Sequence, residues 1–405
     1  MEQNKKTINY IQDIKKKLVN KKYIYQFLPN KLRKLIVNKP TLSYKNRNLK
    51  HGYLVDILHH MIIKYYSYGE REFNLSSEVM RERYGTWYNF YIGYLIDNEI
   101  IKMKSNYFVG KKSKTYFIPK FIIDDGMTRY KNYDKVLVKK YKSNIINNEI
   151  DDVNYSYIST NTRNKLINDL FYVDIDIDKA SNHLLEVDKK SYDKNKYSIE
   201  AINNNHIFYH FDNYGRIHTN FTILKSLIRK NCLTIDGYET SEVDIKNSQP
   251  LFLTAIIDKF DLNLSGIDSD EYDIFKRLTI NGGLYQYFMN QFDIKSKKEV
   301  KLLIYKVLFG KNLDDQYNKM FQQLFPTIHN FIILYKEDSG DYKSLAYDLQ
   351  RSESNLIFNK IIEDIMCENP DIKLFTVHDS IVFPKQYKDI VENIFYSNLK
   401  KAFQI

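Results

Sequence analysis

Cysteine is scarce. Cys232 and Cys367 are the two in 405 residues. A single distant pair excludes a disulfide scaffold and a Cys-rich zinc site. Glycine and proline are also sparse, at 13 and 7, while apolar residues make up 43%. That composition argues against a wholly disordered chain. No apolar run approaches the roughly 18 residues of a membrane span. The opening residues, MEQNKKTINYIQDIKKKLVN, alternate apolar and basic positions without the continuous apolar core of a secretory signal. The expectation is a soluble, intracellular (cytoplasmic, nucleoid-associated) protein. Arginine is rare as well: 11 against 50 lysines. An AT-rich coding genome accounts for this bias, and it means that a lysine can stand where a motif has arginine.

The length suits two or three domains of ordinary size. A net charge of +11 suits a polyanionic partner. Residues 1–141 read as a mostly helical N-terminal domain, broken early by Pro29 and Pro40. Within it, HGYLVDILHHMIIKYY looks helical. Ser76 or Ser77 can cap a further helix, and Trp87, Phe90, Tyr91, Tyr94 and Leu95 recur at helical spacing. Two strand-like runs follow, around Ile100–Lys102 and Thr115–Ile118, flanking a turn that contains Lys111, Lys112 and Lys114. Helix, helix and basic-tipped hairpin is the outline of a winged helix with a wing for DNA phosphates. A small α+β domain with a solvated hairpin fits the same residues. Residues 142–205 are polar and read as a connection with a helix or two. From 206 to 405 the pattern becomes specific.

Three segments there carry chemistry. In TSEVDIKNSQPLFLTAIIDKF, a strand ends at Asp244, and Ser248 stands where an N-cap belongs, with Pro250 in the first turn. In DIKLFTVHDSIVFP, two apolar runs joined by His378-Asp379-Ser380 read as a β-hairpin with an acidic turn. Two aspartates on adjacent strands can hold two Mg²⁺ ions for in-line phosphoryl chemistry. In KKEVKLLIYKVLFG, Val300, Leu303, Ile304, Val307 and Leu308 form an apolar helical stripe. Lys297, Lys301, Tyr305 and Phe309 form a second stripe beside it, suited to a triphosphate at one end and a base at the other. A solvated lysine face on an amphipathic helix is the plainer reading of that segment alone.

In this order, the three segments resemble the palm and fingers of family A DNA polymerases and of the related phage- and mitochondrial-type single-subunit RNA polymerases. Asp244 matches the first catalytic aspartate. Lys297-x3-Lys301-x7-Phe309-Gly310 is similar to the fingers pattern Arg-x3-Lys-x7-Tyr-Gly, and His378-Asp379-Ser380 to the third motif. Gly215-Arg216 matches an upstream Gly-Arg, and Gln350 a glutamine opening the helix before the hairpin. The resemblance covers about residues 206–405. It implies an α+β fold: an antiparallel palm sheet with helical fingers, preceded by the N-terminal domain.

Roles follow from the resemblance. Asp244 and Asp379 would be catalytic and bind two Mg²⁺ ions, with Mn²⁺ as a substitute. Lys297 and Lys301 would grip the incoming triphosphate, Tyr305 would face the sugar, and Phe309 would stack near the templating base. Arg216, Gly310, Gln350 and His378 would contact primer or template. The sugar gate falls on Gln249, where the DNA enzymes have Glu and the RNA enzymes a small residue. With Phe309 lacking a hydroxyl, Gln249 favours deoxynucleoside triphosphates, whereas Ser380 leans towards RNA synthesis. The expected function is a DNA-directed DNA polymerase acting on a DNA template and primer, in the replication of a phage, plasmid or other mobile element. The alternatives are a single-subunit RNA polymerase or primase, and a non-catalytic, DNA-binding replication initiator.

Overall fold

The computed structural model describes residues 22–68, 72–105, 114–123, 127–147, 158–203, 207, 209–212 and 215–403. The chain is α+β and divides into two compact units that are interleaved in sequence. One comprises 1–153, 175–208 and 219–232; the other comprises 154–174, 209–218 and 233–405. The stretch expected as a connection, 142–205, thus contributes to both units.

The first unit is built around the helix His51–Tyr68, whose Leu54, Val55, Leu58 and Ile62 are fully buried. Strand Ile24–Pro29 pairs antiparallel with Met127–Asn132. The helices Ser77–Tyr84 and Tyr88–Asp97 are followed by strand Lys102–Ser105, which pairs antiparallel with Thr115–Phe117. The order helix, helix, hairpin is therefore present. The hairpin tip with Lys111 and Lys112 lies outside the described residues, and Lys114 stands just before the returning strand. Trp87 is 49% exposed rather than packed with the helical stripe, and Arg47 lies over its ring at 3.3 Å.

The second unit holds an antiparallel hairpin at one edge of a five-stranded sheet. The spatial order is Phe375–Val377, Ser380–Pro384, Tyr238–Asp244, Leu233–Ile235, Val173–Ile175. Strands rich in Val, Ile and Phe suit this buried surface: Ile381 and Phe383 are wholly buried, Val382 nearly so. The helix Ser248–Ile257 leaves the sheet directly after Asp244. Its expected cap is corrected: Asn247, not Ser248, occupies the N-cap, in left-handed conformation (φ 52°) and with no side-chain capping bond. Ser248 is instead the first helical residue, and its hydroxyl is engaged elsewhere. The helix Lys297–Phe309 begins and ends where its pattern indicates. Val300, Leu303, Ile304, Val307 and Leu308 are all at most 1% exposed, and burial of each contributes roughly 1.5–3 kcal/mol. The next expectation needs a second correction. Gln350 does not open a helix; it lies in the middle of Ser344–Leu356. None of the helices among the described residues is long and apolar enough to cross a membrane.

Candidate functional site

Strand register builds the site. Asp244 stands directly opposite Ser380, so Asp379 is one residue from the facing position on the neighbouring strand. Asp379 sits in the two-residue turn between Val377 and Ser380, which are themselves paired. That turn is tight enough to need a positive φ, and His378 takes it at 55°. A side chain held there costs about 1–3 kcal/mol, which the flanking buried strands must offset. The Ser380 hydroxyl donates to Glu242 Oε1 at 2.8 Å and lies 2.9 Å from the Val377 carbonyl, tying the turn to the central strand.

That register brings the two acids near enough to act on one another. Burial raises the proton affinity of Asp379, and the neighbouring carboxylates of Glu353 and Asp244 add to it. Its own backbone N–H and Arg216 oppose the shift, which still carries the group up to about 6. A carboxylate placed in low dielectric beside two others is poorly stabilised as an anion.

Tyr305 faces the same place. Burial pushes its hydroxyl up to about 12, helped by Asp379 and Glu353 and opposed by Arg216. Tyr285 is also raised, by burial and then by Tyr305 and Asp379. Of the stripe Lys297, Lys301, Tyr305 and Phe309, the tyrosine lies within electrostatic reach of Asp379 and Glu353. Lys301 Nζ lies 5.2 Å from the Tyr305 ring centre, and Lys297 Nζ lies 5.7 Å from that of Tyr285. The Tyr305 and Phe309 rings are 5.2 Å apart. The far end of the helix is fastened by Lys336, which is 3% exposed and donates to the carbonyls of Val307 (2.6 Å) and Gly310 (2.9 Å). Burial lowers that ammonium group to about 8. Gly310 is required there, because a Cβ would stand 2.4 Å from the Lys306 carbonyl oxygen.

Sequence reasoning missed Glu353. Its carboxylate is 1% exposed and gathers three donor residues from two segments. Arg216 reaches it through Nε (3.1 Å) and Nη2 (2.5 Å), and Ser248 Oγ and Gln249 Nε2 each at 2.5 Å. Arg216 is thus held beside the helix that carries Gln350, and the Gln249 amide is fixed with its NH₂ towards the acid. Gly215, at φ 85°, makes the approach possible: a Cβ there would meet Ser354 Cβ at 3.2 Å. The local sign is a charged residue on the buried stripe of Leu345, Leu349 and Leu356, which marks Glu353 as unusual without naming its partners. His378 is exposed, and its ring centre is 6.5 Å from that of His218, which bonds Asp212 at 2.9 Å.

Among the described residues no group of three His, Cys, Asp or Glu side chains could hold a metal ion. The pair Asp244 and Asp379 still fits Mg²⁺. That ion takes hard oxygen donors and is commonly held by one or two carboxylates plus substrate phosphates. The raised proton affinity of Asp379 marks a place where added positive charge is favourable.

No protein-family model matches the chain, and no curated protein matches it. Among solved structures, the POL domain of Pol1 from M. smegmatis, in complex with DNA primer-template and dNTP, aligns with a TM-score of 0.27 and 11% identity. The alignment covers 56% of this chain and 53% of that one, so the chain spans about half the length of that structure.

Proposed function

We propose that the chain is a template-directed nucleotidyltransferase, a DNA-directed DNA polymerase of family A type. One observation carries this reading: Asp244 ends one strand, Asp379 sits in the turn that opens the strand hydrogen-bonded to it, and the Asp379 carboxyl feels Asp244 on one side and is felt by Tyr305 of the cationic helix on the other. Asp244 and Asp379 would hold two Mg²⁺ ions, which supply activation of a primer 3′-hydroxyl and charge neutralisation at the leaving pyrophosphate. Lys297 and Lys301 bind the triphosphate as point charges, without the bidentate fork of arginine. Tyr305 and Gln249 bound the sugar, and Phe309 offers a ring to the base pair. Arg216 and His378 serve the primer terminus; Gln350 and Gly310 serve the template strand. In the first unit, the basic hairpin bearing Lys111, Lys112 and Lys114 adds duplex contacts. Replication of a viral or mobile-element genome is the setting this combination suits.

A second reading is a single-subunit RNA polymerase or primase using the same residues. It is favoured by Ser380 in the third motif, whose hydroxyl donates to Glu242 Oε1. Parallel reactions separate the two. A primed DNA template is supplied with dNTPs or NTPs, and an unprimed template with NTPs. Extension only with primer and dNTPs supports the first reading, and unprimed synthesis from NTPs replaces it with the second. No incorporation under any condition removes both and leaves a DNA-binding protein.

A further inference from the structure

The ribbon of Ile24–Pro29 and Met127–Asn132 carries a surface that the nucleotidyltransferase reading does not use. Tyr25 is paired opposite Lys131, and Phe27 opposite Arg129. Residues opposite each other in an antiparallel pair share a face, and that face alternates with the other along each strand. One face carries Ile24, Gln26, Leu28 and Asn132, all buried. The other carries Tyr25, Arg129 and Lys131, with Tyr23 and Tyr133 just beyond the strand ends. Its Phe27 end is buried against Tyr197, with ring centres 5.0 Å apart. Its Tyr25 end differs: Arg129 and Lys131 are exposed, and Tyr133 is 58% exposed.

Three rings form a row there. Tyr23 lies 5.1 Å from Tyr25 and 5.4 Å from Tyr133. Two cations sit over them: Arg129 at 4.5 Å from the Tyr25 ring, and Lys131 at 4.8 Å from the Tyr23 ring. The surrounding sequence is the basic part of the chain. Residues 1–150 contain 30 Lys and Arg against 13 Asp and Glu, whereas residues 151–405 contain 31 against 37. The positive balance of the protein therefore resides in the segment that supplies this ribbon.

We propose that this face binds single-stranded nucleic acid. Interleaved rings and cations match a strand whose bases stack while its phosphates meet positive charge. A duplex would use the cations but not the rings, because its base faces are already stacked on one another. The ribbon belongs to the first unit and Asp244 and Asp379 to the second, and binding to the ribbon is read without their activity.

Binding of the full-length protein to a fluorescent 20-nucleotide oligo(dT) tests the proposal. A duplex of equal length and heparin, a polyanion without bases, serve as the other ligands. Tyr133→Ala should weaken oligo(dT) binding about tenfold, within the range of one lost base stack. Tyr133→Phe, which keeps the ring, should stay within about twofold. Lys131→Gln should lower the salt dependence of binding by about one charge. Heparin affinity should fall with Lys131→Gln and stay unchanged with Tyr133→Ala. The proposal is overturned if Tyr133→Ala leaves oligo(dT) affinity unchanged, if it weakens heparin equally, or if duplex DNA binds as tightly with the same loss. Lys131→Gln retains the exposed backbone and ring row, so an unchanged salt slope in that variant also counts against the proposal.

Discussion

One carboxylate in each unit is withdrawn from water, Asp56 wholly and Asp379 in part, and the two acids are treated in opposite ways. Asp56, in the first unit, has no exposed side-chain surface and is surrounded by donors: Gln26 at 2.5 Å, Arg83 at 2.7 and 3.2 Å, Tyr84 at 2.7 Å. Burial alone would raise its proton affinity, but His60, Arg83 and Tyr84 together hold it well below the usual carboxylate range. Asp379, in the second unit, is raised by burial and by two further acids. The first arrangement stabilises a fold. The second leaves Asp379 with a raised proton affinity that Arg216 only partly offsets, a pattern enriched at functional sites.

The largest effect that could break this contrast is on activity. Asp379→Ala should reduce nucleotide incorporation by about a thousandfold or more, the scale of losing a group central to the chemistry. Asp56→Ala should cost stability instead, about 3–5 kcal/mol, because it removes the buried acceptor of Gln26, Arg83 and Tyr84 and leaves the partly buried Arg83 without its counter-charge. Urea denaturation at pH 7 measures it. The depressed Asp56 contributes stability above about pH 4 that is lost as pH falls below it, so the wild-type advantage should shrink in acid. Arg216→Ala should cost about 3 kcal/mol by leaving the buried Glu353 carboxylate without its counter-charge, held by Ser248 and Gln249 alone. Replacing Arg216 and Glu353 together by methionine should recover most of that stability; if it does not, the cost lies in packing rather than charge.

The smallest effect sharpens the comparison most. The Asp379 shift is upward, so its favourable contribution is complete below about pH 4 and lost as pH rises through about 6. At pH 8 the ionised group works against the fold. Asp379→Asn should therefore raise stability by about 2–3 kcal/mol at pH 8 in EDTA and change little near pH 4. Thermal melts at the two pH values check this. Equal effects at both would mean that the acid is not under strain.

Much of the second unit was legible in sequence, because periodicity and turn chemistry set it locally. The stripe from Val300 to Leu308 and the His378-Asp379 turn needed no distant information. What depends on long-range contact was not legible. Asn247 takes the N-cap because Ser248 is drawn to Glu353, 105 residues away in sequence. Gln350 lies mid-helix because Leu345 and Leu349 continue the apolar face on its N-terminal side. Glu353 itself was overlooked, since a charged residue on an apolar stripe gains its meaning only when Arg216, Ser248 and Gln249 arrive beside it. In the first unit, the ribbon is assembled from strands 100 residues apart, and no local pattern announces the row of Tyr23, Tyr25 and Tyr133.

The most direct test of the central claim is Mg²⁺-dependent addition of a single nucleotide to a primer, opposite each of the four template bases in turn. The account predicts addition of the complementary nucleotide in every case by the wild-type protein, and none above background by Asp244→Ala or Asp379→Ala variants that melt as cooperatively as the parent. Addition that ignores the template base, or that survives loss of either aspartate, would contradict it.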